Sequence, residues 1–329
     1  MGNLRSPFIV HHSALALLGA TLLAPIVPAA AQQYPTKPVR LVVPFPPGGG
    51  TDIVARTIAQ KATEALGQSV IVDNRAGGGG TIGSETVVRA TPDGYTLAMV
   101  SASYATNPAL HKLPYDPVKD IQPIVMIGQS GWALALNPAV PLKSTKELVA
   151  HNKANPGKLN YASTGTGGAT HLTTVLFELM TGAKMTHIPY KGTGPALNDL
   201  IGGQVQLMFA ALPSVIPQLK AGRLRALGVT TLKRAGALPD LPAITEAVPG
   251  YEAVTWYGML GPKGLPRNVV ARWNGEVARI IQTDDMKNRM TLEAIEAAGG
   301  PPEEFLNVIR RDVEKWTKVV KAAGITLSN

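Results

Sequence analysis

The residues of this chain that could do chemistry are glycines and hydroxyls, with no catalytic set beside them. Pro44-Phe45-Pro46-Pro47-Gly48-Gly49-Gly50-Thr51-Asp52 and Ala162-Ser163-Thr164-Gly165-Thr166-Gly167-Gly168-Ala169-Thr170 each follow a short apolar run and lead into a helical pattern. A glycine-rich turn that opens into a helix aims unpaired backbone N–H groups at one point. The positive end of the helix dipole stands behind them, so the turn favours an anion. Two such turns, about half a domain apart in sequence, point to a cleft that grips a carboxylate from both sides.

In the first turn, which also contains Pro47, Gly48, Gly49 and Gly50 let the backbone approach a ligand closely, and Thr51 completes the set. The charge of Asp52 would repel an anion, so it is expected to cap the helix or to orient bound water. The plainer alternative is an ordinary capped turn between a strand and a helix. In the second turn the hydroxyls of Ser163, Thr164, Thr166 and Thr170 can donate beside the amides of Gly165 and Gly167. The nucleotide-phosphate version of such a turn needs a lysine after the last glycine, and here Ala169 follows Gly168. His171, one residue into the helix, is a minor candidate. A third turn, His187-Ile188-Pro189-Tyr190-Lys191-Gly192-Thr193-Gly194, offers Tyr190 as a pocket wall and Lys191 as a charge. Tyr190 can equally pack at a strand end with its hydroxyl outward. The glycines at 77–80 are unspecific.

Enzyme signatures are missing. There is no G-x-S-x-G nucleophile elbow, and Gly128-Gln129-Ser130-Gly131 falls one residue short of it. No H-E-x-x-H occurs, and the chain has no cysteine, so neither a thiol nor a disulfide is available. An enzyme is disfavoured, and no cofactor or metal is expected. The net charge of +9 comes from scattered lysines and arginines without stacking aromatics between them. That pattern argues against nucleic acid and for mild steering of acidic small molecules.

The elements that must hold these turns alternate strand and helix, which argues for α/β layering. Arg5, the apolar stretch 14–27 and Ala29-Ala30-Ala31 make a secretory signal with cleavage after Ala31. The remaining roughly 300 residues suit about two domains. Strands are expected at 39–43, 69–72 and 95–100, with helices at 51–66 and 82–89. The pattern then recurs: a strand near 159, a helix at 171–180, a strand at 185–189, a helix at 195–201 and a strand at 205–209. The chain ends in a run of helices, in which Trp273 and Trp316 are core anchors. Segments 123–137 and 252–262 look able to cross between lobes. The expected division is 1–31 signal, 32–132 plus 257–329 one lobe, and 133–256 the other.

Tyr34-Pro-x-Lys-Pro-Val-Arg, the turn at 44–52, Asn74-Arg75-x-Gly, Asp93-Gly94-Tyr95, Tyr115-Asp116-Pro117, the turn at 163–171, Pro189-Tyr190-Lys191-Gly192 and Pro249-Gly250-Tyr251 occur in that order. This ordered set resembles the substrate-binding proteins of tripartite tricarboxylate transporters, the TctC or Bug family of periplasmic receptors. The resemblance covers essentially the whole chain after the signal. It implies a periplasmic binding protein fold, type II-like, of two α/β lobes joined by two crossing strands. It also implies that the turns matching Phe45 to Asp52 and Ser163 to Thr170 hold a ligand carboxylate through backbone amides and bound waters. Ala210 stands where many members carry an acid, which weakens the case for an amine-bearing ligand. The expected partners are a small organic carboxylate and a membrane permease, with the receptor a monomer. A sensory receptor for the same ligand is the alternative, followed by a periplasmic enzyme acting on organic acids.

Overall fold

The strands Val39–Val43 and Thr96–Ser101 are short, almost wholly buried runs, and the helix Gly50–Leu66 buries one stripe beside them. In order, the elements are β1 (Val39–Val43), α1 (Gly50–Leu66), β2 (Val70–Asn74), α2 (Thr81–Val88), β3 (Thr96–Ser101), α3 (Ser103–Thr106), β4 (Ile121–Leu136), α4 (Thr145–Ala154), β5 (Asn160–Ser163) and α5 (Ala169–Thr181). There follow β6 (Thr186–Pro189), α6 (Thr193–Ile201), β7 (Leu207–Ala211), α7 (Leu212–Lys220), β8 (Arg225–Val229), β9 (Val254–Pro262), α8 (Arg267–Gln282), α9 (Asp284–Leu292), β10 (Ile295–Gly299) and α10 (Pro302–Ala322). The computed structural model describes residues 1–4 and 34–325. The expected signal segment from residue 5 onward, with its cleavage after Ala31, lies outside them.

One curled sheet runs β2-β1-β3-β9-β4-β7-β5-β6. Its two ends are parallel: β1 pairs with β2 and β3, and β5 pairs with β6 and β7. Between them β9 and β4 run antiparallel to each other. β4 is the long connector. It pairs with β9 as far as Gly131↔Val254 and with β7 from Trp132↔Ala211 onward. Turns leaving β1 and β5 therefore emerge at the carboxyl ends of parallel strands, the edge where open α/β sheets bind ligands.

Local sequence explains where the helices stop. Gly67 and Gly182 end α1 and α5 in the left-handed conformation, and their N–H groups return to the Thr63 and Glu178 carbonyls at 3.1 and 2.8 Å. Trp273 and Trp316 are buried, as their spacing suggested. The Trp273 indole donates to the Tyr34 hydroxyl at 2.7 Å. In α10, Phe305 packs edge-on against Trp256 of β9, and Asp312 accepts from the same indole at 2.7 Å. The chain end is not purely helical. β10 interrupts it and pairs antiparallel with β4, with Ile295 opposite Ser130. Its Ile-Glu-Ala-Ala-Gly sequence has little strand character of its own, and the free edge of β4 supplies the pairing.

Candidate functional site: a charge-free cavity at three helix N-termini

The first turn is held from behind. The Asp52 carboxylate accepts from the Gly48 N–H at 3.0 Å, from Arg56 Nε at 3.0 Å and from Asn74 Nδ2 at 2.9 Å. Asn74 also reaches the Phe45 carbonyl at 2.9 Å. Burial alone would raise the Asp52 pKa, but Arg56, the Gly48 amide and Asn74 outweigh it and hold the carboxyl below its usual range. No side chain caps α1, and its first internal bond is Ile53 N–H to the Gly49 carbonyl at 3.0 Å. The amides of Gly50, Thr51 and Asp52 are left without a partner among the described residues, as a helix start requires.

The second turn is wired through its side chains. Thr170 Oγ1 accepts from the Thr164 N–H at 2.9 Å, and the two hydroxyls stand 3.0 Å apart. Ser103 Oγ accepts from the Ala169 N–H at 3.1 Å. His171 Nδ1 accepts from the Gly167 N–H at 3.1 Å, and His187 Nε2 meets Ser163 Oγ at 2.6 Å. The two imidazoles stack, with ring centres 4.1 Å apart. Burial, and for His171 also the neighbouring His187, pushes them down to about 3 and about 4 respectively. Both rings are therefore neutral at ordinary pH, which leaves His171 Nδ1 free to accept.

The third turn meets the first. Gly192 precedes α6, and its α-carbon lies against the ring of Pro46. A Cβ on Gly194 would lie 3.0 Å from the Pro47 carbonyl, and one on Gly49 would lie 3.3 Å from Thr193 Oγ1. Glycine at these positions is what lets the two backbones come so close.

A cavity of 30 Å³ lies where the three helix starts converge. Phe45, Gly49, Gly50, Thr51, Thr164, Ala169, Thr170 and Thr193 line it from the turns. Ser101, Ser103, Trp132, Ala211, Thr255 and Tyr257 form its floor. None of these residues is charged. A larger cavity, 570 Å³, lies beside Gln129–Gly131 with Lys233, Arg234, Lys287, Glu252 and Glu296 on its walls. Its charges are mixed, and the three glycine-rich turns do not face it, so the smaller cavity is the better candidate.

Of the residues singled out from sequence, Phe45, Gly49, Gly50, Thr51, Thr164 and Thr170 come together here. The others do not line the cavity. Pro47 and Gly48 are exposed, and Asp52 faces back into its own loop. Ser163 and His171 are tied up behind the second turn, and Gly165 abuts Gly79. Gly167 lies against His111, whose Nε2 is 2.8 Å from the carbonyl of the exposed Thr166. Tyr190 donates its hydroxyl to Asp199 at 2.7 Å, and Lys191 is exposed. Sequence reasoning missed Thr193, one residue past the third turn's glycine, and the entire floor. Thr193 carried a signal, since it is the first residue of a helix that follows a glycine. The floor residues carried none.

A family model described as "Tripartite tricarboxylate transporter family receptor" matches residues 54–325. The chain belongs to this receptor family. It is 34% identical to Protein BugT of Bordetella pertussis over 91% of this chain and 93% of that one. It is 37% identical to Rpa4515 of R. palustris, solved with adipate, with a TM-score of 0.87 over 90% of this chain and 100% of the other. Against MatC of Rhodopseudomonas palustris, solved with bound malate, identity is 31% and the TM-score 0.83, over 87% of this chain and 100% of the other. The chain has the periplasmic binding protein fold, as its likeness to the periplasmic binding protein BugD shows, at 36% identity and a TM-score of 0.86 over 90% of this chain and 100% of the other. Among the described residues no helix is long and apolar enough to cross a membrane, and no cluster of three metal-ligating side chains occurs.

Proposed function

We propose that this receptor captures a small organic carboxylate in the periplasm and presents it to a membrane permease of the tripartite tricarboxylate type, without altering it chemically. The observation that carries this reading is the convergence of the α1, α5 and α6 N-termini on a cavity with no charged wall. The unpartnered amides of Gly50, Thr51 and Asp52, with the dipoles of three helices behind the cavity, neutralise one carboxylate end without a basic side chain. The adipate and malate held by the two R. palustris relatives have the same chemistry. The protein is a monomer of two lobes, 32–132 plus 257–329 and 133–256, hinged where β4 exchanges β9 for β7. A ligand touching turns from both lobes favours the closed form, because only there does it complete its contacts.

A thermal-denaturation screen of the exported protein against di- and tricarboxylates, aromatic acids, amino acids and sugars tests the proposal. An acid present at 100 times its Kd adds about 2.7 kcal/mol of stability and raises the melting temperature. A response to sugars alone, with silence from every acid, refutes it.

A further inference from the structure

Among the described residues, six side chains carry a buried polar atom without a partner, and of these Tyr257 is the one that lines the cavity. It lies on β9, one of the two central strands, with its side chain 1% exposed. Its hydroxyl has no hydrogen-bond partner among the described residues. Two other buried tyrosines are satisfied: Tyr251 donates to the Thr173 carbonyl at 2.9 Å and Tyr104 to the Pro117 carbonyl at 3.0 Å. An orphaned buried hydroxyl is costly, and a native fold rarely keeps one without a use.

The direction in which that hydroxyl points supplies the use. It lies 2.6 Å from where a Cβ on Gly50 would stand, directly under the first turn of α1, and Tyr257 lines the cavity there. Thr255 lines the same floor two residues earlier on β9. Burial raises the phenol pKa, so the group stays an O–H donor. The nearest acid in the first turn, Asp52, is already occupied by Gly48, Arg56 and Asn74. No carboxylate on the cavity wall is free to receive an ammonium group, which would also stand among three positive helix ends.

We infer that Tyr257 is a ligand-contacting residue whose hydroxyl donates to the carboxylate held at the α1 and α5 N-termini, in a site that takes acids bearing no amine next to that carboxylate. The inference rests on the carboxylate reading given above. It adds a contact from the floor of the cleft, where the sequence singled out no residue, and it narrows the ligand class.

Isothermal titration of the exported chain with adipate, malate, succinate, benzoate, aspartate and glutamate tests both parts. For whichever acid binds, Tyr257→Phe weakens affinity 10- to 100-fold. The ligand-free melting temperature of the variant is equal to or above that of the parent, because the orphaned hydroxyl is gone. Aspartate and glutamate bind at least 100-fold more weakly than the amine-free acids. Affinity within twofold of the parent in Tyr257→Phe overturns the inference. So does a variant whose melting temperature and affinity fall together, which would mark the hydroxyl as structural. Amino acids that bind as tightly as simple acids also overturn it. A parent chain that binds none of the acids overturns the carboxylate reading and this inference with it.

Discussion

Replacing Gly50 with alanine probes the geometry beneath α1 more sharply than any larger change. Gly50 is the first residue of the helix and has no left-handed backbone, so an alanine there is not strained in itself. Its methyl would stand 2.6 Å from the Tyr257 hydroxyl oxygen, 3.3 Å from Ala211 Cβ and 3.4 Å from Tyr257 Cζ. Only the first distance is untenable, and the Tyr257 ring, buried on a central strand, has nowhere to swing. Overpacking of this kind costs about 1–3 kcal/mol. The better helix propensity of alanine returns at most about 1 kcal/mol. The net loss expected for Gly50→Ala is therefore up to about 3 kcal/mol, near 2–4 °C in melting temperature for each kcal/mol in a domain of this size. Tyr257→Phe removes the clashing oxygen and leaves 3.3 Å as the tightest contact, so the double variant should recover most of that loss. Binding should not recover, since the methyl still occupies space under the α1 amides in a cavity of 30 Å³. Denaturation of the four ligand-free proteins gives the coupling energy, and titration with a bound acid gives the affinities. A Gly50→Ala cost that is the same in the parent and in the Tyr257→Phe background would refute the steric argument.

Acidification tests the stacked histidines. Unfolded imidazoles titrate near 6.5, whereas His171 and His187 stay neutral in the fold down to about 3 and about 4. Between those values the unfolded chain binds more protons, so stability falls as pH drops from about 6.5 by up to about 1.4 kcal/mol per unit for each ring. Urea denaturation at pH 7 and pH 5 should show the loss, and His187→Phe should shrink it; a pH-independent midpoint would contradict it. Asp52→Ala should cost about 0.5–1.5 kcal/mol by removing the bonds from the Gly48 amide and Asn74, and should weaken binding through a loosened first turn. Because its folded pKa is depressed, the Asp52 contribution is complete above the ordinary carboxylate pKa and fades as pH falls through the lowered value. Calorimetry of the variant with and without ligand checks both effects. Lys191→Ala and Tyr190→Phe should change affinity less than about threefold, since one side chain is exposed and the other is bonded to Asp199. A tenfold loss by titration in either would restore them to the site.

The local parts of this protein were legible in its sequence. Apolar runs ended by proline or glycine mark β1 and β5, the helical period marks α1, α5, α8 and α10, and glycines mark the turns that open into helices. These features depend on neighbours a few residues apart, so spacing alone reveals them. The segments at 123–137 and 252–262, expected to cross between lobes, fall on the strands β4 and β9 at Ile121–Leu136 and Val254–Pro262. β10 was hidden because its pairing comes from β4, some 165 residues earlier by the Ile295↔Ser130 register.

What the sequence determined by itself was therefore local: glycine-opened helix starts, in an α/β frame that sets them at strand ends. Which side chains complete the cavity was decided only by tertiary structure. Tyr257 and Thr255 reach it because β9 returns between β3 and β4, and Trp132 and Ala211 reach it because β4 changes partner there. Thr193 faces the first turn because Gly192 and Gly194 let α6 abut Pro46 and Pro47. The same closure turns Asp52, Ser163 and His171 inward to brace the turns. Sequence spacing carries periodicity along one element, whereas the cavity wall is set by register and crossing between elements far apart in the chain.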